Sequence, residues 1–354
     1  MTKKLTLGVV FGGQSSEYSV SLHSASSFLR QVNAENYDIV MIGIDPEGHF
    51  YLFDGPIDEI EHDTWKESGH TTPIAWVHEG ILPLAPEAPM IKLDVVFPIL
   101  HGKNGEDGAI QGLLTMLDIR YVGPDILSSA INMDKEIMHI ILEQAGIPAA
   151  PYVCLREDEP LPEPTEILAR FPLPWIVKPC NAGSSYGVHK VKNAGELKEA
   201  AEDAFKYDGR GKILVEKCID GFEIGCAVMG NGGDDIFAGN VDEIEISGDV
   251  FDFDGKYEMQ GSHIYCPARL PEEQREKARQ LAKKAYRALD CSGMARVDMF
   301  HLPTGDLIIN ELNTIPGFTA TSRYPTMMKE AGIPFPELID RLVDLAMERK
   351  FGAC

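Results

Sequence analysis

Residues 294–313 read MARVDMFHLPTGDLIINELN, and the fold turns on how this stretch is read. MARVDMF and LIINELN are β-rich runs, and Pro303, Thr304, Gly305 and Asp306 between them spell a turn, so the stretch predicts a β-hairpin. With the turn centred on Thr304-Gly305, Asp298 lies opposite Glu311 and Arg296 opposite Asn313. Side chains at i and i+2 share a face, so all four project to one side. Two carboxylates and an amide on one face make a hard-cation site of the Mg²⁺ type. The same residues also read as a solvated polar face carrying a cross-strand ion pair.

Upstream, PWIVKPCNAGSSYGVHKV predicts a strand ending at Lys178, a loop with Gly183, Ser184, Ser185 and Gly187, and a second strand. Glycines let backbone N–H groups crowd an anion and serines add donors; a plain hairpin loop is the alternative. No G-K-[ST] follows, so this is not a Walker A loop. HGKNGEDGAIQG follows the buried run VVFPIL and sets His101, Glu106 and Asp107 among three glycines, at a strand end where open α/β sheets bind ligands. A tight loop capping the next helix fits it too. GGQSSEYSVSLHSA follows the first strand without a G-x-G-x-x-G pattern. Its Glu17 near a helix start either complements the helix dipole or attracts a ligand ammonium. Residues 246–270 form a long polar segment with Lys256 and Tyr257 near its middle, the composition of an active-site lid or of a solvated loop.

LTLGVVF, DIVMIGI and VVFPIL alternate with helical patterns, which predicts an α/β fold beginning with a parallel, doubly wound sheet; residues 54–90 read as irregular. The helix DKEIMHIILEQAG ends at Gly146 before Pro148. We expect an N-terminal unit over 1–130, a central unit over 131–215 and a C-terminal unit over 216–354.

The chain has 354 residues with 32 Lys+Arg against 55 Asp+Glu, a net charge of −23. That field opposes nucleic acid and anionic membranes as partners. No apolar run approaches the ~20 residues that span a bilayer, and the N-terminus reads as a first strand rather than a signal peptide. Seven cysteines with no C-x-x-C pair predict no disulfide framework and no zinc site, which fits a reducing cytoplasm.

Taken in order, EYSVSLHSA, HGKNGEDGAIQG, MDKEIMH, IVKPCNAGSSYGV, ILVEKCIDGFE, GKY, SGMARVDMF and NELNTIPGFT resemble the D-alanine–D-alanine ligase family of the ATP-grasp superfamily over essentially the full length. The resemblance implies three α/β domains with ATP between the central and C-terminal ones, two Mg²⁺ ions (Mn²⁺ as a substitute), and a homodimer. It implies that a D-alanine carboxylate attacks the ATP γ-phosphate and that the amine of a second D-amino acid then attacks the acyl phosphate. Phosphoryl transfer of this kind depends on positioning and charge neutralisation.

Carried over by motif, Lys135, Lys178 and Lys256 would hold phosphates, with Ser185 in the phosphate loop. Glu216, Lys217 and Ile219 would surround the adenine and Glu223 would take the ribose. Asp298, Glu311 and Asn313 would ligate the metal. Glu17 would bind the first D-alanine's ammonium in a network with Ser184 and Tyr257, supported by His101 and Glu106. Arg296 and the Gly317 N–H would form an oxyanion hole. Ser322 and Arg323 occupy the acceptor position. Arg323, Asp242 and Phe251 resemble the D-alanine–D-serine ligases of glycopeptide resistance, which points to D-serine; an ion pair at Arg323 with D-alanine as acceptor is the alternative. The Lys256-Tyr257 pair argues against a D-lactate ligase. Thr321 departs from the family's usual histidine and puts the acceptor subsite's shape in question.

Overall fold

A computed structural model of the protein describes residues 4–183, 185–233, 235–246 and 262–350. Ser184, Phe251, Lys256 and Tyr257 lie outside them.

The first sheet holds β1 (Leu5–Gly12), β2 (Tyr37–Ile44), β3 (Phe50–Phe53), β4 (Thr71–Val77), β5 (Gly80–Pro83), β6 (Ile91–Lys92) and β7 (Val95–Pro98), in the order β6-β5-β4-β3-β2-β1-β7. Among its described strands only β1 makes parallel pairs, with β2 on one side and β7 on the other. The rest of the sheet is antiparallel. The expected doubly wound parallel sheet is therefore corrected to a mixed one, and residues 54–90 are not irregular. Their strands are short, and the turn joining β4 to β5 places Glu79 at φ 60°, where sequence reading looks for glycine.

The second sheet is antiparallel, in the order β10-β9-β11-β8. Its strands are β8 (Tyr152–Arg156), β9 (Trp175–Pro179), β10 (His189–Val191) and β11 (Lys212–Lys217). The third, also antiparallel, runs β14-β13-β12-β15-β16, with β12 (Phe222–Gly230), β13 (Phe237–Ile246), β14 (Ser262–Tyr265), β15 (Gly293–His301) and β16 (Leu307–Asn313).

The predicted hairpin is β15–β16, and Arg296↔Asn313 and Asp298↔Glu311 pair as expected. The turn is tighter than read: Leu302 N–H reaches the Asp306 carbonyl, centring the loop on Thr304. The ladder then shifts between Asp298 and Met299, with Asn310 as the extra residue. This bulge restores the side-chain alternation that the turn displaced.

One hydrophobic core joins Leu7, Phe28 and Phe97 of the first layer to Phe318, Tyr324 and Leu338 near the C-terminus. The second sheet has its own core around Trp175, Val177 and Ile213. The helix Lys135–Gln144 leads into that sheet, with Asp134 capping it by accepting from Ile137 N–H. No described helix is long and apolar enough to cross a membrane.

Candidate functional site

The third sheet lays out a row of residues one per strand: Asp242 on β13, Gly225 on β12, Asp298 on β15 and Glu311 on β16. Asp298 is 2 % exposed. Its carboxylate accepts from Arg296 Nε and Nη2, both at 2.8 Å, and from Asn313 Nδ2 at 2.9 Å. Arg323 Nη1 stands 3.4 Å away. Glu311 lies 3.6 Å from the Lys135 ammonium, which also donates to the Ala182 carbonyl at 2.9 Å. Lys135 thus ties the hairpin to the Gly/Ser loop. Asp298, Glu311 and Asn313 present the oxygen donors a hard cation takes.

A small cavity opens beside this row, lined by Glu17, His101, Glu106, Gly183, Arg296 and Gly317 among others. Glu17 stands just before the helix Tyr18–Leu29. Gly102 and Gly183 close on its carboxylate so nearly that a Cβ on Gly102 would collide with it. Gly183 brings the Gly/Ser loop of the second sheet against the first layer. His101 meets Ser24 Oγ at 3.1 Å and the Ile315 carbonyl at 3.1 Å. Glu106 accepts from the N–H groups of Gly102 and Ile315, at 2.9 and 3.1 Å. Burial and the nearby Glu17 carboxylate push the Glu106 carboxyl up to about 8, and burial lowers His101.

A larger cleft of about 930 Å³ runs between the second and third sheets. It is lined by Lys178, Ser185, Glu216, Lys217, Ile219 and Glu223, and it shares Lys135, Gly183 and Glu311 with the small cavity. The volume suits a nucleotide. Lys178 Nζ is 2.8 Å from Glu216 Oε2, and His139 Nε2 is 3.0 Å from Glu216 Oε1. Burial alone would raise the Glu216 carboxyl, but Lys178 and His139 outweigh it and hold it at about 2.

Arg323 opens the helix Arg323–Glu330 directly after Ser322. Its guanidinium is bidentate on Asp242 and donates to Glu223 at 2.9 Å. Burial works against its charge, yet Asp242 and Asp298 keep it firmly protonated. Glu223, expected at the ribose, lines the cleft with its carboxylate already engaged by Arg323. Ser322 Oγ meets Thr319 Oγ1 at 2.7 Å, and Thr321 Oγ1 joins Thr319 at 3.3 Å. Sequence reading missed Gly225 and His139. The signal for His139 was a histidine four residues after Lys135, on the same helix face.

Among described residues, Asp45, Glu47 and His49 also cluster as three metal-type side chains. Lys66 already neutralises Asp45 at 2.6 Å, so this group reads as a braced turn.

The chain matches the family pattern described as D-ala D-ala ligase N-terminus over residues 6–124, and D-ala D-ala ligase C-terminus over residues 141–344. It is 45 % identical to the D-alanine–D-alanine ligase of Acetivibrio thermocellus, covering 99 % of this chain and 97 % of that one. It is 43 % identical to the vancomycin B-type resistance protein VanB of Enterococcus faecalis, over 98 % and 99 % of the two chains. Its fold superposes on the crystal structure of the VanG D-Ala:D-Ser ligase from Enterococcus faecalis with a TM-score of 0.90 at 42 % identity, covering 97 % of this chain and 100 % of that one.

Proposed function

The chain belongs to the D-alanine–D-alanine ligase family and is an ATP-dependent ligase that couples D-alanine to a second D-amino acid, and we propose that this acceptor is D-serine. The observation that carries the proposal is the likeness to the VanG ligase, named for D-Ala and D-Ser, at 42 % identity and a TM-score of 0.90. Arg323 and Asp242, two of the residues that resemble the D-alanine–D-serine ligases, stand together next to Ser322, which supports the same reading. A second reading, D-alanine as acceptor, is favoured by one observation: carboxylates of the protein already occupy three guanidinium nitrogens of Arg323. Phosphate release with D-alanine plus D-serine, D-alanine or D-lactate decides between them. A higher kcat/KM for D-serine is expected; a clear preference for D-alanine overturns the proposal.

We further assign roles within the site. Lys135 and Lys178 hold ATP phosphates, joined by Lys256. Glu216, Lys217 and Ile219 surround the adenine, and Glu223 takes the ribose. Glu17 receives the ammonium of the first D-alanine, with Ser184 and Tyr257 completing the network and Glu106 and His101 shaping its walls. The first carboxylate attacks the γ-phosphate, ADP leaves, and the acceptor amine attacks the acyl phosphate with loss of phosphate. Arg296 and the Gly317 N–H face the oxyanion of that second step, where one donor is typically worth ~2.7–4 kcal/mol. Asp298, Glu311 and Asn313 fit Mg²⁺, which when bound supplies charge neutralisation at the phosphate oxygens. The three sheets support a division into three units, proposed as 1–130, 131–215 and 216–354, although β11 carries the second sheet on to Lys217.

A further inference from the structure

The ring of His139 is 1 % exposed and touches neither of the two cavities that would hold substrate. It nonetheless makes one polar contact of consequence, from Nε2 to Glu216 Oε1 at 3.0 Å, while Nδ1 has no partner. Nε2 therefore donates, since a carboxylate held at about 2 accepts only. The ring packs on Tyr152, centroids 4.8 Å apart, and Tyr152 is the cross-strand neighbour of Glu216 on β8. The other oxygen of Glu216 holds Lys178 at 2.8 Å. Lys135 and His139 lie one turn apart on a single helix, so that helix reaches the nucleotide cleft twice. It does so directly through Lys135 and indirectly through Glu216.

We propose that His139 is a positioning residue for Lys178, acting through Glu216. The inference rests on the reading of Lys178 as a phosphate-binding lysine. When the Lys178 ammonium turns toward phosphate oxygens, its hold on Glu216 loosens. A carboxylate only 5 % exposed then needs another donor, or it pulls the lysine back. His139 is that donor. It lets Glu216 stay ionised and in place while Lys178 is shared between carboxylate and phosphate.

The test separates the donor from the ring. His139→Phe keeps an aromatic ring against Tyr152 and removes the N–H; His139→Gln keeps an N–H and removes the ring. Steady-state kinetics and equilibrium ATP binding are measured for both, with thermal melts alongside. His139→Phe is expected to raise KM and Kd for ATP about tenfold, the loss of one hydrogen bond to a charged group, with KM for D-alanine unchanged. His139→Gln is expected to stay close to wild type for ATP even if its melting temperature falls. The reverse pattern, Phe near wild type and Gln impaired, would make His139 a packing residue and overturn the proposal. Should the Phe variant not fold, the Gln variant alone decides by whether its ATP affinity is kept or lost. Lys178→Gln is the control for the underlying reading: unchanged ATP affinity there removes Lys178 from the phosphates and the proposal with it. A loss at Lys178 with no loss at His139→Phe refutes only the role of His139.

Discussion

Arg323 grips Asp242 through two parallel hydrogen bonds, Nε to Oδ2 and Nη2 to Oδ1, each 2.8 Å long. The grip lies over Gly225, the residue between Asp242 and Asp298 in the row across the third sheet. A Cβ at Gly225 would collide with Arg323 Nη2 and would stand 2.6 Å from Asp242 Oδ1 and 3.1 Å from Asp298 Oδ1. The missing side chain thus lets one arginine hold Asp242 on the proposed acceptor side and reach a proposed metal ligand.

Gly225→Ala should therefore disturb function more than folding. The atoms in the way are side-chain ends, but each is held by its partner, so the row must spread. We expect about 1–3 kcal/mol of lost stability, the usual cost of overpacking, and a larger fall in kcat/KM for both substrates. Thermal melts with acceptor kinetics check this; wild-type kinetics would show that the row tolerates a methyl.

Arg323→Leu removes the guanidinium that neutralises Asp242, a carboxylate with no solvent exposure. Breaking a buried pair from one side typically costs about 3–5 kcal/mol. Arg323→Leu with Asp242→Asn should recover part of that loss, because Asp242 is then no longer a buried charge stripped of its partner, while Glu223 and Asp298 still lack the arginine. Both variants should shift acceptor preference from D-serine toward D-alanine. Chemical denaturation and acceptor competition read the two effects separately, and an unshifted preference would detach Arg323 from acceptor choice.

Glu311→Gln keeps the side-chain size and deletes one negative charge from the proposed metal set. Turnover should drop by about a hundredfold or more, with the Mg²⁺ concentration for half-activation raised and the melting temperature little changed. Near wild-type turnover at low Mg²⁺ would show that Glu311 is not a ligand.

Glu106 gives stability a pH dependence of known sign. Its carboxyl stands at about 8 in the folded protein, against about 4.3 in an unfolded chain. The folded state holds this proton more tightly, so the contribution is complete below about pH 4 and is lost as pH rises through 8. Relative to Glu106→Gln, which cannot titrate, the wild type should lose stability steadily from about pH 5 to pH 8. Melts of both proteins across that range test it; parallel curves would place the proton elsewhere.

The hairpin shows how far sequence reading carried and where it stopped. Pairing of Asp298 with Glu311 followed from a turn centred on Thr304-Gly305, yet the turn centres on Thr304 alone. A slip of one residue would have sent the whole set to the opposite face. The bulge at Asn310 cancels that slip, and nothing in LIINELN marks it beforehand. The seven-stranded first sheet failed for a similar reason: its antiparallel strands are too short and too interrupted to show alternation.

By itself the sequence determined the longer local elements and the ordered set of charged motifs, because glycine turns, helix caps and strand runs act over a few residues. That order was enough for the family. Only the tertiary structure decided which carboxylate each cation holds. Arg323 meets Asp242 across 81 positions and His139 meets Glu216 across 77, so neither spacing foretells the pairing. The strength of a charge pair depends on ångström separations and on how much water is excluded, and both are set by the packing of distant segments. The same packing sets Glu17 beside Glu106 in one cavity and raises a carboxyl that the sequence alone would leave at its ordinary value.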